Sequence, residues 1–399
     1  MKTTLLFASI ICSTAVSAQA TRTTVNAGNA TNPLTWDCMC VPAPGDNIVV
    51  NHALNLDVDF AYASGSVTIN SSGSVTGSVP QRIFGIGGGS FTNNGALNVG
   101  YLYYSAGTFN SSGTMTIGAS MGVDSIGIAN ISGNLIIGDT LYVNTLAAAN
   151  LTGTSNVSNI AVIANAGTIQ NAHAITIGEL WNSGTYTHGS NQANITGFVL
   201  NAGTLNLNWY FMVNGDFFNN ENVNLNHHLS VANFYNGDST QLSCTFTNNG
   251  SISVTSDFVN SKDITGNGKF CVGQSSTNSG SITGTIDFCD VTGGNIDVNI
   301  GNVAGTVTYC SIPCTVGMEE SVADLYSIYP NPAADVFTIS FANQGEHVYR
   351  ITDVMGKVIA EGAVIGSTLQ VDASAWTAGV YFISVEKNGV QHSDRIVVE

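Results

Sequence analysis

The 399-residue chain is poor in charge and poorer still in positive charge: Lys and Arg number 9 against 26 Asp and Glu, for a formal net charge of −17. Between Thr23 and Met318 the only cations are Arg82, Lys262 and Lys269. Binding a nucleic-acid backbone takes clustered Lys and Arg that neutralise phosphates, so nucleic-acid partners are excluded. Docking on an anionic membrane surface fails for the same reason. Beyond the first residues there is no long, uncharged apolar run, so no membrane-spanning segment is expected in the mature chain. H-E-x-x-H, Walker and dinucleotide fingerprints are also missing, and neither a cofactor nor a metal is expected. What the chain does have is 44% hydrophobic residues, enough to bury a core despite the low charge.

The chain opens with Met1-Lys2-Thr3-Thr4, runs apolar from Leu5 to Cys12, and continues through small residues to Ala18-Gln19-Ala20. A basic start, a short apolar core and an A-x-A-like end make residues 1–20 an expected secretory signal peptide. Cys12 would leave with it. Seven cysteines remain, and export to an oxidising space favours disulfides. Cys38-Met39-Cys40 and Cys310-x-x-x-Cys314 have the close spacing of metal-ligating pairs. No His lies near the second pair, and only His52 follows the first, so disulfides are expected over metal. An odd count leaves at least one thiol outside any bridge within the monomer. Cys271 and Cys289, about one repeat apart, are the favoured pair.

Residues 21–318 are repetitive. The unit is Asn, up to a few residues, mostly small, then Gly, alternating apolar positions and often another Gly. It reads Asn94-Gly95-Ala96-Leu97-Asn98-Val99, Asn110-Ser111-Ser112-Gly113-Thr114-Met115-Thr116-Ile117 and Asn130-Ile131-Ser132-Gly133-Asn134-Leu135-Ile136-Ile137. It returns at Asn165, Asn182, Asn201, Asn249 and Asn278, about 20 residues apart early and nearer 30 late. Alternation puts Leu97, Val99, Met115, Ile117, Leu135, Ile137, Leu205 and Leu207 on one face of their strands. Asn and Gly supply the corners, because both tolerate positive φ. A single strand cannot bury its own face, so successive coils must stack, and Asn at like positions can then form hydrogen-bonded ladders. These features predict an all-β, parallel β-solenoid (β-helix). With about 14 coils at ~4.8 Å each, it would be on the order of 65 Å long. Trp36-Asp37-Cys38-Met39-Cys40-Val41-Pro42 is the expected cap on the first open edge. It resembles the first coil of β-helical surface proteins exported by the secretion route named next.

Composition shifts after Met318. Residues 319–325 read as a linker, and 326–399 as a separate domain of strand-length runs between turns, the pattern of a small β-sandwich. Its motifs are Tyr329-Pro330-Asn331-Pro332, Asp353-Val354-Met355-Gly356-Lys357, Gly379-Val380-Tyr381-Phe382 and the terminal Arg395-Ile396-Val397-Val398. In this order they resemble the type A C-terminal sorting domain of the type IX (Por) secretion system. The resemblance implies an Ig-like sandwich read by the outer-membrane translocon and a sorting peptidase as partners, with the chain leaving through the periplasm for the cell surface or medium. Asp124-Ser125, Asp139-Thr140 and Asp238-Ser239 are similar to the short O-glycosylation sequon of bacteria with this system.

Two functions lead for the repetitive region, with a solute- or ice-surface binder as a third class. One is a non-enzymatic structural or adhesin-like protein, whose partners would be surface glycans or matrix. The other is a carbohydrate-active β-helix enzyme, a polysaccharide lyase or glycoside hydrolase. For the enzyme the candidates are Asp57 and Asp59, expected on one strand face near Arg82, and Asp287, Asp290 and Asp297 downstream of Lys262 and Lys269. For glycan contact they are Trp209, Tyr210, Phe211, His227 and His228, with Tyr101, Tyr103 and Tyr104.

Overall fold

The computed structural model describes residues 19–62, 65–77, 81–153, 157–237, 244–312, 314, 326–341, 346–353, 357–387 and 390–399. The signal segment through residue 18, the 319–325 linker, Gly356 and the Asp238-Ser239 sequon lie outside them. The chain divides into two compact units, Met1–Val316 and Gly317–Glu399.

The first unit is a parallel β-solenoid of about 13 turns. Each turn crosses three faces. Thr168–Asn171 lies on the first face; Ala174–Asn182 bends to supply the second and third; Thr185–His188 begins the next turn on the first. The stacking is parallel and in register, so that Ile169 lies under Tyr186, then Leu205, then Val223. Alternation dictates what is buried. The inward residues expected from the sequence, from Leu97 to Leu207, are all 2% exposed or less. In the later coils the core turns aromatic: Phe217, Phe234 and Phe258 stack along the axis at 5.9 and 5.4 Å.

Asparagine forms more than one ladder. Asn165, Asn182, Asn201, Asn219, Asn236, Asn260, Asn278 and Asn299 stand one per coil at the corner from third to first face. Each Nδ2 donates to the next Oδ1 at 2.7 or 2.8 Å. The same amides serve the backbone: Asn201 Nδ2 also donates to Asn222 O, and its Oδ1 accepts from Gly203 N. Asn110, Asn130 and Asn150 instead form a ladder on the outside of the first face, and Asn226 and Asn249 pair at the next corner. The single repeating unit read from the sequence therefore merges different columns. The late spacing is also corrected: successive ladder residues there are 17 to 24 apart, not 30. Asn219 and Asn260 escaped the pattern because no glycine follows two places on; Glu221 N and Lys262 N donate to their Oδ1 instead. Glycine at this corner reflects close approach. A Cβ on Gly184 would lie 2.1 Å from Gly167 O in the coil before.

Asn201→Ala would remove a buried amide and strand its neighbours on both sides. Each buried polar group left without a partner costs about 1–3 kcal/mol, so a loss of roughly 3–5 kcal/mol is expected, read as an earlier chemical-denaturation midpoint. Asn130→Ala, at a half-buried position on the outer ladder where water can replace the lost partner, should cost less than about 1 kcal/mol.

The cysteines correct the expected pairing. Cys271 and Cys289 do sit on adjacent coils in register, but they are not bonded to each other. The bridges are Cys38–Cys40, Cys271–Cys314 and Cys289–Cys310. In-register parallel strands hold equivalent Cβ atoms near the ~4.8 Å strand spacing, wider than the ~3.8 Å typical of a disulfide. Past its last rung at Thr308–Tyr309, the chain instead turns back over the outside of the second face. It is stapled there to the two preceding coils. The odd thiol is Cys244, buried within the asparagine corner beside Asn219 and Asn236; burial pushes it up to about 12.

Asp287 completes this C-terminal cap. Its carboxylate accepts from Thr308 Oγ1 and Ser311 Oγ, both at 2.7 Å, and from the Ser311 and Ile312 amides. Burial raises its pKa, but these hydrogen bonds outweigh burial and hold it at about 2, against an ordinary 3.8. His188, buried in the core, is pushed the other way for a base: burial lowers it from 6.5 to about 4.

Both shifts make acid destabilising, in separate windows. The unfolded chain takes up the His188 proton as pH falls through 6.5 while the folded chain resists until 4, a loss on the order of 3 kcal/mol. Asp287 contributes stability above pH 3.8 that disappears as pH falls toward 2. A thermal-melting profile against pH should show both declines. His188→Asn should flatten the upper one and Asp287→Asn the lower.

The second unit is an antiparallel β-sandwich. Tyr326–Tyr329, Val336–Phe341 and Thr368–Asp372 form one sheet; Val358–Ile365, Glu346–Asp353, Gly379–Lys387 and Val390–Val398 form the other. Phe337, Ile339, Ile351, Ile383, Val385 and Ile396 fill its core.

Candidate functional site

In the sandwich, the motif residues converge on the chain terminus. Pro330 and Pro332 have no N–H and cannot extend a ladder, so the first strand stops at Tyr329, which is 53% exposed. Asn331 then clamps the last strand: its Nδ2 donates to Arg395 O at 2.9 Å and its Oδ1 accepts from Val397 N at 3.0 Å. Ala333 continues the clamp, with Ala333 N on Val397 O and Glu399 N on Ala333 O. The first and last motifs of the domain are thus one structural feature. Asp353 and Lys357 close the central hairpin through Lys357 N on Asp353 Oδ1 at 2.9 Å and Asp353 N on Lys357 O at 3.0 Å. Gly379 pairs with Val398 across the terminal strand. Tyr381 is buried, donates to Thr377 O at 2.7 Å and packs on Trp376 at 4.8 Å. Sequence reasoning missed Tyr326, whose hydroxyl bonds Ile383 O and ties the two sheets together.

On the solenoid, the candidate acids are held by structural partners. Asp57 and Asp59 are on loop backbone, not on one strand face. Asp57 accepts from Thr31, Asp59 accepts from Ile83 N, and Arg82 donates to Asp57 O at 2.7 Å. Asp290 and Asp297 do meet, but at a shared Ser276, which donates its hydroxyl to one and its amide to the other. One pattern passed over in the sequence is Gly118-Ala119-Ser120-Met121-Gly122, with the spacing of a nucleophile elbow. Ser120 there is buried, donates to Asp139, and precedes a strand; an elbow leads into a helix. Of the sequon residues, Ser125 is exposed and Thr140 is buried.

The aromatic candidates separate into inside and outside. Tyr104 and Phe211 are core. Tyr101 and Tyr103 stack outside at 6.3 Å, and Trp209 lies on His227 at 4.6 Å on a corner. The third face carries an outward row that sequence reasoning did not assemble, because its members are separated by whole coils. In register it runs Tyr103, Gly122, Tyr142, Ala164, Trp181, Leu200, Phe218, Tyr235. Beside its later part, Asp216 accepts from Asn233 at 2.7 Å, Asn233 accepts from Asp257 N, and Asp257 accepts from Ser275. Carboxylates here alternate with neutral donors, which avoids like charges directly opposite one another.

A stacked parallel solenoid followed by an antiparallel sandwich defines a two-part protein: a repetitive unit and a terminal module whose first turn clamps its last strand. The family model for a secretion system C-terminal sorting domain matches residues 327–399. The chain is a type IX secretion cargo protein with a β-solenoid passenger, bound for the cell surface or the medium. Among curated proteins, an endo-acting ulvan lyase of Formosa agariphila is 34% identical over 74 residues, which is 18% of this chain and 14% of that relative.

Proposed function

We propose that the passenger is a non-enzymatic, adhesin-like or structural rod of the cell surface or extracellular matrix. One observation carries this reading. The outer faces are in-register sheets, and the acids proposed for catalysis are each occupied in holding coils together, as Asp287 is by Thr308, Ser311 and Ile312. A glycosidase needs two carboxylates facing a shared substrate, one of them ready to give up a proton. A hydrogen-bonded carboxylate held at about 2 is a poor proton donor.

The competing reading is a polysaccharide-active β-helix enzyme, favoured by the similarity to an ulvan lyase. Incubating the full chain with a panel of neutral and anionic polysaccharides, ulvan included, separates the two. The rod should release no new reducing ends and no unsaturated uronates. Product formation above that of the heat-inactivated protein would establish the enzyme instead.

A further inference from the structure

The geometry points to a binding site for a neutral, extended, β-linked polysaccharide along the third face, stacked on Tyr103, Tyr142 and Trp181. This deepens the proposed rod function and rests on it.

The first argument is spacing. These side chains hold equivalent outward positions on alternate coils, with Gly122 and Ala164 between them. Parallel strands stack at ~4.8 Å, so the aromatic residues recur every ~9.6 Å along the axis. That is close to the repeat of one disaccharide in an extended β-linked chain, in which every second sugar presents the same face. The solenoid converts a coil repeat into a sugar repeat without any loop having to be positioned.

The second argument is presentation. Tyr103, Tyr142 and Trp181 are 39%, 45% and 44% exposed, so their rings face solvent and not the core. Gly122 explains how a ring lies flat: a Cβ there would stand 2.9 Å from Tyr103 Cδ1. The Trp181 indole is fixed by its Nε1–H donating to Glu179 at 3.0 Å and by an edge contact with Phe198 at 5.4 Å. A fixed ring loses little freedom on binding. Further along, Phe218 and Tyr235 stack at 4.9 Å and continue the apolar strip.

The third argument is charge. The strip is bordered by Glu179, Asp216 and Asp257, on a chain of net charge −17. A polyanion such as an alginate or an ulvan would be repelled, whereas carboxylates and the Asn233 amide accept and donate well to the hydroxyls of a neutral sugar.

The test uses the full chain in calorimetric titration with cellohexaose, chitohexaose, laminarihexaose and an alginate hexamer, together with sedimentation on microcrystalline cellulose. Cellohexaose or chitohexaose should bind; laminarihexaose, whose β-1,3 linkages curl the chain away from the two-fold repeat, and the alginate should not. Trp181→Ala and Tyr142→Ala should each weaken binding about tenfold, and the double variant should abolish it. Ile136→Ala, an exposed side chain on the second face and outside the aromatic row, should bind as wild type. All these changes lie on the surface, and equal melting temperatures would confirm an intact fold. Failure of both cellohexaose and chitohexaose, equal binding of laminarihexaose or alginate, or insensitivity to both face variants overturns the site. Self-association of the wild type that is lost in Trp181→Ala, without glycan binding, would give the face to a second copy and also overturn it. Binding accompanied by turnover would keep the site while removing the non-enzymatic reading, so the two failures are distinguishable.

Discussion

A chain truncated before Tyr326 should accumulate, folded, in the periplasm. An export signal carries a chain across the inner membrane alone, and crossing the outer membrane takes a second address. The sandwich matched at 327–399 supplies it. The solenoid should tolerate the loss because each coil is held by its neighbours, and its terminal coils carry their own closure in Cys271–Cys314 and Cys289–Cys310. Fractionation is the measurement: passenger in the surface and medium fractions should fall to background, with periplasmic passenger retaining wild-type protease resistance. Wild-type amounts outside the cell would refute the address. Asn331→Ala is the sharper variant. It removes two hydrogen bonds to the last strand while leaving the passenger untouched, and it should lower secretion without changing passenger melting.

Ile117→Asp is expected to be the most destabilising single change in the passenger. Ile117 is fully buried, with Val99 and Ile137 in register on the coils before and after. The substitution removes a buried aliphatic side chain, at a cost of about 2–5 kcal/mol for such large-to-small changes, and puts a carboxyl group where no donor is placed to meet it. A loss on the order of 5 kcal/mol follows, visible as a fall in melting temperature of roughly 10 °C. Because coils communicate only with neighbours, proteolysis should open first around residues 97–137. Thr116→Asp, one residue away and facing outward, is the control and should change melting by little. Equal melting of Ile117→Asp and wild type would show that the residue is not in the stack.

Much of this protein was legible before any coordinates. Alternation with period two, Gly and Asn at corners and a coil-length repeat leave a chain with no helical periodicity few ways to bury its apolar residues, and a stacked solenoid is the one that uses them all. The buried positions from Leu97 to Leu207 follow from that alone, because strand geometry sends alternate side chains to opposite faces. The terminal module was legible from motifs in order, since Pro330, Pro332 and the Asp353 turn act locally on the backbone. Register between coils had to come from the tertiary structure. Coils of 17 to 24 residues absorb their extra residues at corners, so the sequence interval cannot say which Asn stands above which. For that reason Asn94, Asn130 and Asn201 looked like one column and are three. The same blindness produced the wrong cysteine pair: stacking brought Cys271 and Cys289 together, but only the path of the chain after Tyr309 brought Cys310 and Cys314 over them. The row of Tyr103, Tyr142 and Trp181 was invisible too, because its members lie about 39 residues apart and become neighbours only when the coils stack at ~4.8 Å.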